Sequence, residues 1–471
     1  HLVKAYSITR GRESELDRVA AGTATITLDS PSAVFSPLNT SGCLSGSLLP
    51  NRVVRIGWRF EPSSGGAASR FYRFVGKLKS ITNEPDVTGG RNVVFTAVDD
   101  FNEMQRRETR STLYQNVKSG CLAGSLLDDG GFFSGCRAIA DGQDTYNYAY
   151  FERRKLDEVL VDIERTEYGF MFISRDGTFT FNDRHYRSTT LTVGASFDNT
   201  MSGVNHYRSD DDLATETEVT YIPKVQKAST TIWTLQSPIN FTACTAGSFF
   251  GNYIDPTTCQ LVPALGVASP VIGTTASFYS GSSGSTTTNV NDDFSASFTA
   301  FAESFKYAAS NGGSTTGWLT GLTVTGCPLI SYEQSTARAL DTTACQLYGK
   351  RTLVYTGQNL IHAGDKAKSF AKFLVNRFKD PANLDKMRLS IKPKNETLLE
   401  QILRRDLDDR IAMSNLTMNA TGVDFFIGKL QEQWSVGWLA PTVTWTLERA
   451  STNNDFIVDL SEVGGTNGLG Y

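Results

Sequence analysis

Carboxylates, histidines and cysteines are the residues of this chain that could do chemistry. Aspartates stand side by side at Asp99/Asp100, Asp128/Asp129, Asp210/Asp211/Asp212 and Asp408/Asp409. A glycan-cleaving enzyme needs two carboxyl groups on opposite sides of the scissile bond, whereas adjacent aspartates between apolar segments are expected to be solvated turn residues. The Asp210–Asp212 run offers oxygen ligands suited to calcium but lacks the spaced ligands and central glycine of an EF-hand loop, so a polar loop is expected. The four histidines are His1, His185, His206 and His362, and no His-Glu-x-x-His run is present. His185, among Asp183, Arg184, Tyr186 and Arg187, reads as a surface histidine beside charges. Neither a Gly-x-Ser-x-Gly elbow nor a Gly-x-x-x-x-Gly-Lys-Ser/Thr phosphate loop occurs. No catalytic, cofactor-binding or metal-binding residue is assigned, no cofactor is expected, and the chain is read as a non-enzyme.

The seven cysteines (Cys43, Cys121, Cys136, Cys244, Cys259, Cys327, Cys345) form no Cys-x-x-Cys pair, which argues against zinc. Cys121/Cys136 and Cys244/Cys259 are spaced to close short loops in an oxidising medium, worth about 3 kcal/mol each. The preferred reading is small buried hydrophobes made in a reducing cytoplasm.

At 471 residues the chain exceeds a single core, and about three or four domains are expected. Hydrophobic residues at 40% against 20% charged argue for folded structure, and 41 glycines with 28 phenylalanines favour aromatic strands joined by turns. The formal net charge of -4 gives no field that would hold nucleic acid on the outer surface. No apolar run of membrane-spanning length occurs. The chain begins at His1, so its natural start, and any signal peptide, are expected to lie upstream.

The elements follow from periodicity. Gly22–Asp29 alternates strictly, with Ala24, Ile26 and Leu28 on one face and Thr23, Thr25 and Thr27 on the other. The charged run before it (Arg10, Arg12, Glu13, Glu15, Asp17, Arg18) reads as a polar loop, and Pro31 and Pro37 as turn punctuation. Val54, Ile56, Trp58 and Phe60 alternate with Arg55, Gly57 and Arg59, and Phe71–Gly76 and Val93–Val98 complete a four-strand set. Asp99–Asp100 is expected to open a polar helical stretch reaching Arg110. Leu156, Val159, Leu160 and Ile163 form a helical stripe, followed by a hairpin of Phe170–Ile173 and Thr178–Phe181 whose Asp176-Gly177 predicts a type I′ turn. From Asn240 to Gln334 the texture becomes Ser/Thr/Gly-rich, with Gly281–Asn289 the least complex piece. Short strands at Thr275–Phe278, Phe294–Phe301 and Leu322–Cys327 suggest an inserted β-sandwich. Near the end, Asp365 is expected to cap a helix with Ala367, Phe370, Ala371, Leu374 and Phe378 on one face, stopped by Asp380-Pro381. Strands at Met387–Ile391, Arg410–Met413, Phe425–Leu430 and Thr442–Leu447 surround a Leu398/Leu399/Ile402/Leu403 stripe.

Several of these segments resemble, in order, the baseplate hub or tail-tip (minor tail) proteins of long-tailed bacteriophages. The matching residues are Arg10-Gly11-Arg12, Leu16-Asp17-Arg18, Gly22-Thr23-Ala24-Thr25 and Phe35-Ser36-Pro37, then Gly169-Phe170, Asp176-Gly177 and Phe181-Asn182-Asp183-Arg184. Ala344–Arg351, Leu407-Asp408-Asp409-Arg410 and Trp445-Thr446-Leu447 close the series. The blocks cover about three quarters of the chain.

The resemblance implies a mainly β, multidomain α+β chain with two tube-forming β-barrel-like domains, a middle α+β unit and an inserted β-sandwich-like domain. The expected divisions are residues 1–110 (first tube-like domain), 111–196 (middle unit), 197–239 (connecting strands), 240–334 (insert) and 335–471 (second tube-like domain). It also implies a homotrimeric ring at the distal end of a virion tail, assembled in the host cytoplasm, continuing the tail tube and serving as the channel for genome ejection. Expected partners are further copies of the chain, distal tail and tail-tube proteins, the tape measure protein, tip or fibre proteins, and DNA in transit without specific binding, with host-envelope contact as a further possibility. Two rival readings are a tail-associated envelope hydrolase and a receptor-binding protein acting through residues 240–334.

Overall fold

A computed structural model describes residues 2–63, 67–85, 91–132, 134–190, 192–198, 201–254, 266–283, 287–356, 359–415, 418, 420–450, 455–456 and 468–469. Cys259, part of Gly281–Asn289 and most of the last twenty residues lie outside them. The protein is mainly β with interspersed helices, arranged in several sheets.

The main sheet takes strands from both ends of the chain. Its antiparallel path runs Gly203–Tyr207, Lys386–Ile391, Thr442–Arg449, Ala420–Ser435, Val3–Gly11, Ala20–Asp29, Arg91–Val98, Ser69–Pro85 and Val53–Phe60. At its centre Val3–Gly11 pairs with Ala420–Ser435, placing Ala5 opposite Ser435 and Gly11 opposite Lys429. The alternation read from sequence sets the faces: Ile8, Ala24, Ile56, Phe74 and Ala97 turn inward to one cluster. Arg55, Gly57 and Arg59 stay exposed.

The first strand was not legible as such, because Arg10 and Arg12 look like solvated charges. The structure corrects that reading: Arg10 lies in Val3–Gly11, and both arginines are buried. A second correction concerns Asp99–Arg110. The helix is a single turn, Phe101–Met104, and Glu108–Arg110 pairs instead with Glu152–Lys155. Arg110 explains the change, since its guanidinium bonds Glu152 at 2.6 Å and lies over the rings of Phe250 and Phe301, at 4.7 and 5.0 Å.

In the middle of the chain, Leu156–Glu167 forms the expected amphipathic helix. Leu156, Val159, Leu160 and Ile163 are fully buried against the helix Ser119–Asp129 and the strands Phe170–Ile173 and Phe179–Asn182. Each such side chain is worth about 1.5–3 kcal/mol of burial, which makes this stripe the main anchor of the unit. The hairpin forms, but its turn is not type I′. Ser174 and Thr178 are joined by a backbone bond, and of the residues between them Gly177 (φ +90) has positive φ while Asp176 does not. That is a three-residue loop with a left-handed glycine, which type I′ geometry, needing positive φ at both central residues, does not match.

The Ser/Thr/Gly-rich segment, together with strands from residues 224–239 just before it, builds two sheets around one core. Gly317–Ser331 pairs with Lys224–Gln226, Thr230–Thr234, Ile239–Phe241 and Gly266–Tyr279, while Ser304–Asn311 lies between Ala246–Asn252 and Phe294–Ala300. Ile232, Phe241, Phe278, Phe305, Tyr307, Leu319 and Val324 fill the space between them. The helix Gly364–Phe378 covers a small sheet of Ser335–Leu340, Glu216–Tyr221 and Thr352–Tyr355. Its cap is Ala363; Asp365 lies within the first turn and makes no capping bond, contrary to expectation. Among the described residues no helix is long and apolar enough to cross a membrane.

Candidate functional site

The motif residues converge on one place, a largely buried ionic junction where the N-terminal segment, the middle unit and the C-terminal strands meet. Gly11 makes it possible. Its φ is +97, and a Cβ there would collide with the Gly428 carbonyl oxygen and come within 2.8 Å of Leu407, so only glycine lets the chain turn away from the sheet at this point. Arg10, just before it, donates to the Ile173 carbonyl at 3.1 Å and to Asp406 at 2.5 Å. The second Asp406 oxygen accepts from the Arg175 backbone N–H at 2.7 Å. The 174–177 loop is thereby tied to both ends of the chain.

Arg12, just after it, lies between Glu164 at 3.9 Å and Glu448 at 3.5 Å, over the ring of Phe170 at 4.3 Å. Arg187 bonds Asp408 and Glu448 at 2.7 Å each and Glu15 at 3.2 Å. Glu15 also accepts from Arg377 and, at 2.9 Å, from the Tyr168 hydroxyl. Three guanidinium groups thus face four carboxylates from six separate stretches of chain. Burial opposes the Glu15 charge, but Arg377, Arg187 and Arg12 hold its carboxyl at about 2. Burial lifts the Glu164 carboxyl to about 7, against the pull of Arg12 and of the Met171 N–H. Charges buried this deeply require such mutual pairing.

A second polar cluster lies at the seam between the two halves of the main sheet. Arg73 and Glu432 are completely buried and bonded at 2.7 Å, and Arg73 also donates to the carbonyls of Leu403 and Arg405, at 3.0 and 3.2 Å. The Tyr6 hydroxyl donates to Glu432 at 2.6 Å and accepts from the Trp58 indole at 2.5 Å. Trp434 stacks on Tyr6.

The aspartate pairs are engaged in structure rather than facing each other across a cleft. Asp99 is buried, accepts from the Gly22 and Phe101 N–H groups, and is raised to about 7 by burial. Asp100 pairs with Lys77, Asp128 with Arg137, Asp210 with Arg351 and Asp212 with Lys386, while Asp129 accepts from Tyr114. Asp211 accepts from Ser209 and Tyr207, and Asp409 from the Asp406 N–H. Asp408, expected to be a solvated turn residue, is instead buried in the junction at φ +61. His185 precedes the short helix Tyr186–Thr189, and His206 lies 3.4 Å from Asp385. His362 is buried between the Ile222 and Tyr148 carbonyls, and burial, with Lys224 nearby, lowers it to about 4. His1 lies outside the described residues. Among those residues no group of three or more His, Cys, Asp and Glu is placed to hold a metal. Cys43, Cys121, Cys136 and Cys244 are exposed free thiols and Cys327 and Cys345 are half-buried, so the expectation of buried hydrophobes fails, and Cys121 and Cys136 are not bridged.

Arg73, Arg377, Glu164, Glu432 and Glu448 were missed by sequence reasoning, and Glu15 and Arg187 were read only as loop or surface charges. For Arg73 and Glu432 a signal existed: Arg73 interrupts the apolar run FYRFVG, and Glu432 falls on the face set by Leu430 and Trp434 in KLQEQW. For the others the partner is too distant in sequence to be paired by pattern.

No protein-family model and no curated protein matches the sequence. Solved structures similar in fold include the 43 kDa tail protein of prophage MuSo2 from Shewanella oneidensis, at 7% identity, covering 95% of this chain and 94% of that one, with a TM-score of 0.47. A tail protein from Neisseria meningitidis gives 9% identity, 95% and 92% coverage and a TM-score of 0.49. Prophage tail protein gp18 from Listeria monocytogenes gives 8% identity, 95% coverage of both chains and a TM-score of 0.40. The chain is thus similar to phage tail proteins, as the sequence resemblance implied, and at these identities the similarity is one of fold.

Proposed function

We propose that the chain is a non-enzymatic structural subunit of a phage-type tail, three copies of which form a ring that continues the tail tube. The observation that carries this reading is the main sheet, in which strands from residues 3–98 and 386–449 join edge to edge and are locked by the buried ion pairs Arg73–Glu432 and Arg12–Glu448. A ring subunit needs such a rigid wall. In this reading residues 1–110 and 335–471 supply the two tube-like domains, residues 111–196 brace them, residues 197–239 connect the main sheet, through Gly203–Tyr207, to the insert, through Lys224–Gln226 and Thr230–Thr234, and residues 240–334 project as an insert. The ring would seat on tube and distal tail proteins, meet the tape measure protein, carry tip or fibre proteins below, and let DNA pass without specific binding. Its place would be the distal end of the virion tail.

The test is mass measurement of the purified chain together with negative-stain imaging. A threefold particle with a central opening is expected; a monomer at every concentration overturns the ring. Receptor binding by the insert is a second reading, favoured by the separate core that the insert builds with the strand Thr230–Thr234 just before it. Deleting the insert should leave assembly intact in both cases and abolish adsorption only if the second reading holds.

A further inference from the structure

The main sheet ends on two strands that pair with nothing on their outer sides among the described residues: Val53–Phe60 at one edge and Gly203–Tyr207 at the other. Both are open to solvent, with Val53, Arg55, Gly57 and Arg59 exposed on the first and Gly203, Asn205, His206 and Tyr207 on the second. An unpaired edge of this length is a template for another strand. The path between the edges has nine strands, each antiparallel to the next, so the two edge strands run in the same direction. A copy added in the same rotational sense therefore meets its neighbour through a parallel pair.

The charges distinguish the two edges. The first is basic: Arg52, Arg55, Arg59 and Arg70 are exposed, and Arg59 stands directly across from Arg70. Like charges in directly opposed positions are unfavourable unless an acidic group lies near, and the carboxylate recorded at Arg59 is its own neighbour Glu61. The second edge leads into Asp210, Asp211 and Asp212. Arg351 and Lys386 engage Asp210 and Asp212, but Asp211 has hydroxyl partners, and those hydrogen bonds from Ser209 and Tyr207 hold its carboxyl below the usual range.

We infer that Val53–Phe60 of one copy adds as a parallel strand to Gly203–Tyr207 of the next, with the arginine-bearing edge facing the Asp210–Asp212 turn. The occupant of each edge is a second copy of this chain, and the contact is heterologous, as a closed ring requires. This rests on the ring proposed above and specifies which strands close it.

The test uses the full chain. In Arg55→Cys/Asn205→Cys, mild oxidation followed by peptide mass mapping should yield a 55–205 crosslink between subunits, at the assembled mass and absent from each single variant. In Arg55→Glu/Arg59→Glu, both positions being exposed, apparent association should weaken at least tenfold while circular dichroism is unchanged. Adding Asp211→Arg to that variant should recover most of the loss. A ring that forms without the crosslink and is indifferent to charge reversal overturns the edge pairing and leaves the ring standing. A chain monomeric at all concentrations overturns both.

Discussion

Removing the Arg73 guanidinium while leaving Glu432 in place tests whether buried ion pairs hold the two halves of the sheet together. Both side chains are fully buried, so Arg73→Ala leaves an ionised carboxylate in the interior with only the Tyr6 hydroxyl to satisfy it, and frees two carbonyls, of Leu403 and Arg405. Breaking a buried pair by removing one partner costs about 3–5 kcal/mol, and the unbonded carbonyls add to that. Arg73→Met/Glu432→Leu removes both charges and keeps much of the volume, so it should be markedly less destabilising than Arg73→Ala despite changing more. Urea unfolding followed by tryptophan fluorescence is the assay, because Trp58 and Trp434 flank the cluster and pack edge to face. The reasoning is refuted if Arg73→Ala costs less than about 1 kcal/mol, or if the double variant is the worse of the two.

Three further outcomes follow from the junction and the insert. Glu164 is raised from 4.5 to about 7 in the folded chain, so the folded state binds the proton more tightly, and stability should fall as pH rises from about 4.5 to 7 and then level off. Glu164→Gln should flatten this slope by up to about 3 kcal/mol, read as thermal midpoints across pH 4.5–8. Gly11→Ala, which forces a Cβ into the Gly428 carbonyl at positive φ, should lower the thermal midpoint by many degrees or prevent soluble expression, whereas Gly46→Ala, also at positive φ but with open space around it, should be much milder. Arg110→Ala removes the cation held between Phe250 and Phe301 and should speed proteolytic nicking at the base of the insert, with little change in overall circular dichroism.

The legible parts of this fold are those whose cause is local. The stripe Leu156/Val159/Leu160/Ile163 and the strand Gly22–Asp29 announce themselves because one face of each must be dry, and periodicity encodes the face. The turn at Asp176-Gly177 was located correctly but mistyped, since the loop length that selects the turn depends on where pairing stops, at Ser174 and Thr178. The junction was hidden for a deeper reason. Arg12, Glu15 and Asp408 carry the same residue types as solvated loops, and what buries them is partners hundreds of positions away. Asp100, Asp128 and Asp210–Asp212, expected to be solvated turn residues, each have a nearby cation or hydroxyl, and Asp128 lies in the helix Ser119–Asp129.

The pairing of Val3–Gly11 with Ala420–Ser435 has a consequence for biosynthesis. Tyr6 and Glu432, bonded to each other, are 426 positions apart, so Val3–Gly11 leaves the ribosome long before the strand that fills its outer edge. During that interval, tens of seconds at about 5–20 residues per second, Val3–Gly11 presents an open edge with Arg10 and Arg12 still hydrated. Those two charges, costly to bury later, stay hydrated until the strand Ala420–Ser435 has been made and can pair.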